Sequence, residues 1–469
     1  MRLTDMKDSF KDFWTEFKKD KSGVVGLILF LFFIFIVLFE PMLLPFPEAN
    51  KRWRDISYWE DFPKAAPPAW TNWFTPEDEA KTTILTEFEQ EKKDLGQMEL
   101  VSYTVDYDYQ FDTAPNDMIF HVNARGKMII QIELTRPDGK TVEIYQAPMN
   151  TGRSEGKGVR ISIDNSSRGI AFNFAKDYES AENLDMIKEG LIKTTDAFFA
   201  KAEPGMIRYP EPLKGEYQIK FTGILQTEDA HFEDPRIVMP GKVWGVLGTD
   251  SYKRDIWTGV LAGVKWALLI GIMTAVFSVT IGVIYGVISA YLGGWRDALM
   301  QRIFEVFVSV PLLPVLIVLS AVFEPSIWTM VIMMSAFFWT GSVKTVRSMA
   351  LQIKEETYIE ASQALGASNF RIIFKHMVPL LIPYSFSAMA LFIPRAVVYE
   401  ASISLLGLGD ATIVTWGQIL SDALNSGAVL NGLWWWVVPP GLSIALMGMA
   451  FAFLGFAMDK ILHPKLRTR

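Results

Sequence analysis

The stretch that decides the architecture is Tyr358-Ile-Glu-Ala-Ser-Gln-Ala-Leu-Gly366, continued by Ala-Ser-Asn-Phe-Arg-Ile-Ile-Phe-Lys-His-Met-Val-Pro379. It is polar, charged and rich in helix formers, yet it lies between two strongly apolar runs. Gly366, shortly after Glu360-Ala-Ser362, marks a break between two short helices. In a membrane chain, a segment of this kind is built to be gripped by something outside the membrane.

Composition supports the membrane reading. Hydrophobic residues make up 50% of the chain and charged ones still reach 21%. That combination fits a membrane protein carrying a water-soluble part. The absence of cysteine excludes disulfides, thiolate chemistry and cysteine metal sites. The four histidines, His121, His231, His376 and His463, are far apart and fall in no metal-ligand spacing. No metal or cofactor is expected.

Apolar runs at Gly23–Phe39 and at about 266–291, 302–323, 327–343, 380–403 and 437–458 are candidate spans. Basic residues gather at Lys18, Lys19 and Lys21, at Arg296 and Arg302, at Lys344 and Arg347, at Arg371 and Lys375, and after Lys460. Placing those clusters inside gives six spans with both termini cytoplasmic. The first run has the basic front of a signal peptide, but Phe39-Glu-Pro-Met-Leu-Leu-Pro45 follows it instead of a small-residue cleavage site, so it reads as a span. Ahead of it, Met6, Phe10, Phe13, Trp14 and Phe17 recur at helical spacing. This stripe fits either a helix lying on the inner membrane surface or packing against neighbouring spans.

The domains expected are therefore an interfacial helix and first span over 1–44, a polar insert over 45–247, and a five-helix core over 248–469 with a connecting loop at 344–379. The insert carries the net negative charge of the chain and the remainder is mildly basic, which argues against nucleic-acid binding. Lys127–Tyr145 alternates around Pro137-Asp-Gly139, the signature of a hairpin. Val159–Ile163 and Ile170–Phe174 read as further strands, Gly215–Gly223 as a closing strand, and Asp185–Ala202 as a helix. The insert is thus expected to be a β-rich sandwich. Trp53, Trp59, Trp70 and Trp73 fit packing of an irregular segment better than a ligand platform. Gly152-Arg-Ser-Glu-Gly-Lys157 is one residue short of a phosphate loop and reads as a turn.

Gly248-Thr-Asp250 with Arg254-Asp255, ahead of the second span, resembles the opening motif of peptide-type ABC importer permeases. Gly293-Gly-Trp-Arg-Asp297, Glu305 and Pro311 continue the series, followed by Glu360-Ala-Ser362…Gly366, His376-Met-Val-Pro379, Glu400–Gly409, Trp416-Gly417 and Asp459…His463-Pro464. The chain is identified by these motifs, over about 1–40 and 244–469, as resembling the dipeptide/oligopeptide/nickel branch of binding-protein-dependent permeases. Ser362 stands where the family usually has alanine, and Tyr252-Lys253 replaces a leucine-glycine pair.

The resemblance implies an all-α type I importer permease of six transmembrane helices with the β-rich domain inserted after the first. It would sit multi-pass in a prokaryotic cell membrane, beside a homologous second permease, two ABC ATPase subunits and an extracytoplasmic solute-binding protein. No credible Walker A motif lies in the chain, so ATP hydrolysis would belong to the partners. Glu360, Ala361, Ser362, Gly366, Arg371 and Lys375 would form a coupling elbow docking on the ATPase. Arg347, Arg371 and Lys375 would serve first as positive-inside anchors.

Charges at membrane depth are costly, so Arg395, Glu400 and Glu305 are candidates for a gate or ion pair. Peptides are the expected cargo, with oligosaccharides or nickel chelates as alternatives. A surface or assembly protein acting through its β-rich domain is the reading from another class. The insert itself is expected to dock or stabilise the binding protein.

Overall fold

The computed structural model describes residues 13–46, 48–94, 96, 98–151, 158–186 and 192–462. Met6 and Phe10, the Gly152–Lys157 turn and His463-Pro464 lie outside the described residues. Packing divides the chain into two compact units. One is Met1–Arg54 with Thr258–Arg469, the other Asp55–Trp257.

Among the described residues, the regular structure of the first unit is helical. Helix α1 (Lys21–Leu38) starts at Asp20, whose carboxylate accepts the Gly23 amide and the Lys460 ammonium. Hydrogen bonds from Ser22 and the Gly23 amide, with the Lys460 charge, hold that carboxyl well below the usual range. Phe17 is buried and stacks with Phe13 and Trp14, whereas Trp14 itself is exposed.

In the second unit, discussed below, helices α2 (Asn165–Lys176), α3 (Ala181–Met186) and α4 (Thr194–Phe199) come next in chain order. The membrane unit resumes with α5 (Ile256–Leu292), α6 (Gly294–Ser309) and α7 (Leu312–Val322). Helices α6 and α7 meet at 80° around Val310-Pro311. Then follow α8 (Ile327–Phe338), α9 (Thr340–Lys354), α10 (Thr357–Ala364), α11 (Asn369–Leu405), α12 (Trp416–Asn425) and α13 (Trp434–Leu462).

Among the described residues, four helices, α1, α5, α11 and α13, are long and apolar enough to cross a bilayer, and the bent α6–α7 pair makes a fifth candidate. The run expected as one span over 327–343 instead holds the twelve-residue α8, which stops short of Trp339. Gly282 and Gly286 let the α9 backbone approach α5, where a side chain would meet Ser342, Val343 and Val346.

Among the described residues, the second unit is built on one antiparallel sheet of eight strands: β1 (Thr83–Leu85), β2 (Glu89–Asp94), β3 (Glu99–Tyr109), β4 (Ile119–Thr135), β5 (Thr141–Thr151), β6 (Val159–Arg160), β7 (Gly215–Leu225) and β8 (His231–Met239). Its order is β1-β8-β4-β7-β3-β2, with β5 and β6 also on β4. Strand β4 does the folding. Its first part pairs with β6 and β8, its second with β5 and β7, and the change falls at Gly126, whose φ of 87° suits only glycine.

The two parts of the sheet thereby face each other. The ring of Phe232 on β8 covers Gly223 on β7, and Phe120, Phe221 and Phe232 meet edge-on. The expected sandwich is therefore a single sheet folded over itself as a half-barrel.

The Pro137-Asp-Gly139 turn joins β4 to β5 as its residues require, with Gly139 at φ 78°. Strand β7 lies at the centre of the sheet and does not close it. Ile170–Phe174 is helical, because Asp164 caps α2 by accepting the Ser167 amide. Ile170, Ala171, Phe174 and Ala175 then share a helical face on the core. The expected Asp185–Ala202 helix is replaced by α3 and α4, with 187–191 outside the described residues.

Arg136 is buried, and its guanidinium donates to the carbonyls of Phe198 and Ala200 at the end of α4, both at 2.6 Å. Trp59 is buried against Phe62 while Trp73 is exposed, so these tryptophans form no platform.

Glu179 ties the helical layer together by accepting from the Ser180, Gly205 and Ile207 amides and from Asn183 Nδ2. Burial pushes its carboxyl up, but those four donors outweigh it and hold the value at about 2. A depressed folded value means that the stabilisation is present above the usual glutamate range and is lost as pH falls toward about 2. Glu179→Gln is expected to speed hydrogen exchange at the Gly205 and Ile207 amides at neutral pH. The difference from wild type should shrink below about pH 4; a difference that grows on acidification would contradict this.

Candidate functional site

The elbow is formed by α10 and the start of α11. Glu356 precedes α10 in extended backbone, and α10 ends with the Ala367 amide donating to Ser362 O and the Gly366 amide to Gln363 O. That pair of bonds is a Schellman cap. It needs a left-handed residue, and Gly366 has φ 78°. Ser368 then caps the next helix by accepting the Arg371 amide. The second arm does not end in a loop. It runs on as α11 through a π-helical turn at Ile372–Met377 and a 3-10 turn at Val378–Leu381.

One side of the elbow is seated. Ile359, Ile372, Ile373, Met377 and Leu381 are buried with Val279, Val283, Val287 and Tyr291 of α5 and Val346 and Ala350 of α9. Tyr291 also bridges the two arms. Its hydroxyl donates to Asn369 Oδ1 at 3.0 Å and accepts from Gln363 Nε2 at 3.4 Å.

The other side is open. Leu365 is 89% and Phe370 70% exposed, and Tyr358 is also exposed. Glu360, Ala361, Gly366, Arg371 and Lys375 are exposed, Ser362 is half-buried, and none of the three charged residues forms an ion pair among the described residues. Nothing in the spacing of the motif points to Tyr291, Gln363 or Asn369 as its fasteners. The one available signal is a tyrosine ending an apolar helix just ahead of Gly293-Gly294.

Arg347 is not on the open side. It forms a bidentate pair with Asp297, Nε to Oδ1 at 2.9 Å and Nη2 to Oδ2 at 2.5 Å. Asp297 in turn accepts from Ser289 Oγ of α5, so α5, α6 and α9 are locked by one network. The ion pair expected among Glu305, Arg395 and Glu400 does not form. Glu305 pairs with Arg302 one turn away on α6, at 2.8 Å. Glu400 is buried and accepts from Ser404 Oγ at 2.7 Å. Arg395 lies over the rings of Phe338 and Tyr399.

The Gly248–Asp255 motif packs inside the second unit, so the sequence-based boundary at 247 and 248 falls within that unit. Thr249 Oγ1 donates to Pro63 O at 2.7 Å and accepts the Ala66 amide at 2.9 Å. Asp250 is fully buried and accepts the Tyr252 and Arg254 amides and Arg254 Nε. Asp255 accepts Trp244 Nε1. These residues fasten the start and finish of the insert to each other.

Residues 278–468 match the family model described as binding-protein-dependent transport system inner membrane component. Residues 9–68 match that of the N-terminal TM domain of oligopeptide transport permease C. The dipeptide transport system permease protein DppC of Bacillus subtilis is 38% identical over 222 residues, 47% of this chain and 69% of the relative. The chain belongs to the binding-protein-dependent permease family.

The permease is also 34% identical to the oligopeptide transport system permease protein OppC of Bacillus subtilis, over 55% of this chain and 80% of the relative. The Haemophilus influenzae OppC is 34% identical over 47% of this chain and 70% of the relative. Among solved structures, inward-facing conformations of the MetNI methionine ABC transporter give a TM-score of 0.32 at 20% identity, covering 45% of this chain and 97% of that one, too low a likeness to carry an argument.

The seating of the elbow makes a specific expectation for the permease. Tyr291→Phe keeps the ring in the apolar cluster and removes both hydrogen bonds of the bridge. Hydrogen exchange across 363–371 should rise while the middle of α5 stays as protected as in wild type. Equal exchange in both proteins would remove Tyr291 from the fastening.

Proposed function

We propose that this permease is the membrane-spanning subunit of an ATP-driven ABC importer of peptides, coupled to a separate ATPase through the α10–α11 elbow. The family membership and relatives named as dipeptide and oligopeptide permeases support the cargo class over oligosaccharides or nickel chelates. Those relatives are permeases and not enzymes, so hydrolysis resides in the partner. The observation that carries the coupling role is an elbow apolar and fixed on one side, and open on the other.

Docking follows from the chemistry of the open side. Leu365, Phe370 and Tyr358 enter an apolar groove on the ATPase. Burial and the nearby Glu356 push the Tyr358 phenol up, so it stays neutral there. Glu360 meets a basic residue of that groove, and Ala361 and Gly366 let the backbones approach. Because α11 continues unbroken from the second arm, rotation of the ATPase is delivered to a transmembrane helix without a slack loop. Arg371 and Lys375 add charge on the same side and anchor the inner surface.

In the assembled importer the permease pairs with a homologous second permease, two ATPase subunits and an extracytoplasmic binding protein. Six spans follow if α6–α7 is one and α8 continues through the helical backbone of Trp339 into α9 as another. Both termini and the elbow then lie in the cytoplasm and the half-barrel outside. The compact units divide the domains at 54/55 and 257/258 instead of 44/45 and 247/248, which assigns the last stretch before α5 to the base of the insert. The half-barrel serves as a docking module for the binding protein.

Glu360→Arg and Gly366→Trp should reduce peptide uptake in proteoliposomes at least about tenfold, through lost docking and the forbidden left-handed backbone. Binding-protein association should persist in both. Normal uptake by both variants would refute the coupling role and leave an adhesive protein as the better account. Deleting the half-barrel should weaken binding-protein affinity, and unchanged affinity and uptake would rule out its docking role.

A further inference from the structure

Two cations lie well inside the long apolar helices, and they are treated differently. Lys265 on α5 is neutralised by Glu40, Nζ to Oε1 at 2.5 Å. Arg395 on α11 follows Pro394 and makes no ion pair among the described residues. Its guanidinium rests 4.9 Å from the Phe338 ring centre and 5.8 Å from that of Tyr399, and those two rings meet edge to face. Stacking of this kind orients a guanidinium without discharging it, and leaves its in-plane N–H groups for another acceptor.

The side chain is exposed on the face of α11 that also carries Leu391 and Val398, whereas Ala396, Val397 and Glu400 point inward. Ten residues of helix separate Arg395 from Leu405, about 15 Å, which is half the hydrocarbon thickness. A cation held there against acyl chains is costly, so this face is turned toward protein or water.

We infer that Arg395 is a carboxylate-binding site on the translocation route and takes the C-terminal carboxylate of the passing peptide in a bidentate, charge-assisted pair. The inference rests on the peptide-import reading. A permanent acidic partner would orient the guanidinium by itself, and the Phe338–Tyr399 shelf would be redundant. The nearest acid on the same helix, Glu400, is turned away to Ser404. An oriented but unneutralised guanidinium suits a ligand that must bind and then leave.

The chain has no cysteine, so Arg395→Cys places a single thiol in it. The variant is reconstituted with its permease and ATPase partners and the binding protein. It is then treated with a cationic aminoethyl or an anionic sulfonatoethyl methanethiosulfonate, and labelling of this chain is read by mass. Labelling is expected, slowed by peptide cargo. Uptake should fall about tenfold and be restored in part by the cationic adduct only. Arg395→Lys, with the charge kept, should raise KM more than it lowers kcat.

Absence of labelling in both nucleotide states would place Arg395 against the second permease or lipid and overturn the proposal. Equal uptake with the two adducts, or uptake unchanged in the cysteine variant, would overturn it as well. If the wild-type transporter moves no peptide, the peptide reading itself falls and the carboxylate site with it. Co-purification of the ATPase with each variant separates these outcomes from misassembly.

Discussion

The insertion of Ile359, Ile372 and Met377 into the apolar surface of α5 and α9 is the contact on which the membrane unit depends. A polar elbow held only by its two peptide links would swing freely, and any push on it would dissipate in the joint. Close-packed apolar side chains have little compressibility, so a seated elbow moves its neighbours. The Tyr291 bridge adds direction, because one hydroxyl fastens both arms across the left-handed Gly366. The Asp297–Arg347 pair then ties α6 and α9 to the same end of α5. A push on the open side therefore reaches three helices at once.

The β-rich unit rests on a comparable constraint at its base. An insert of this size must begin and finish close together if the helices on either side of it are to keep their places. Thr249 and Asp250 meet the need by bonding the Pro63–Ala66 segment and the turn before α5. What looks in the sequence like a motif of the second span is a clasp for the inserted domain. The half-barrel above it is organised by one long strand, β4, which gives its two parts to different neighbours.

Much of this was legible in the residues. The elbow was readable because Gly366 has a local cause and a local consequence, and the long apolar helices announce themselves by length. The β4–β5 hairpin was readable for the same reason, from Pro137-Asp-Gly139. Misreadings came where a distant contact or a single cap decided the outcome. Ile170–Phe174 alternates like a strand, yet Asp164 starts a helix there. Arg395, Glu305 and Glu400 are three charges with no spacing signal for where each turns, so the sequence suggested a pair that packing does not form. Arg347 looked like a surface anchor because Asp297, fifty residues away, cannot be seen from its neighbours.

If the seating holds, the elbow and the inner end of α5 and α6 move as one body. Spin labels carried by the double variant Leu365→Cys and Trp295→Cys, both exposed positions, probe this in an otherwise cysteine-free chain. Their distance distribution is measured by pulsed electron paramagnetic resonance in the assembled transporter, without nucleotide and trapped with ATP. The same distribution is expected in both states, even as labels across the two permeases separate. A shift or a second population between the two labels on ATP binding would show that the elbow swings on its own and would contradict rigid seating.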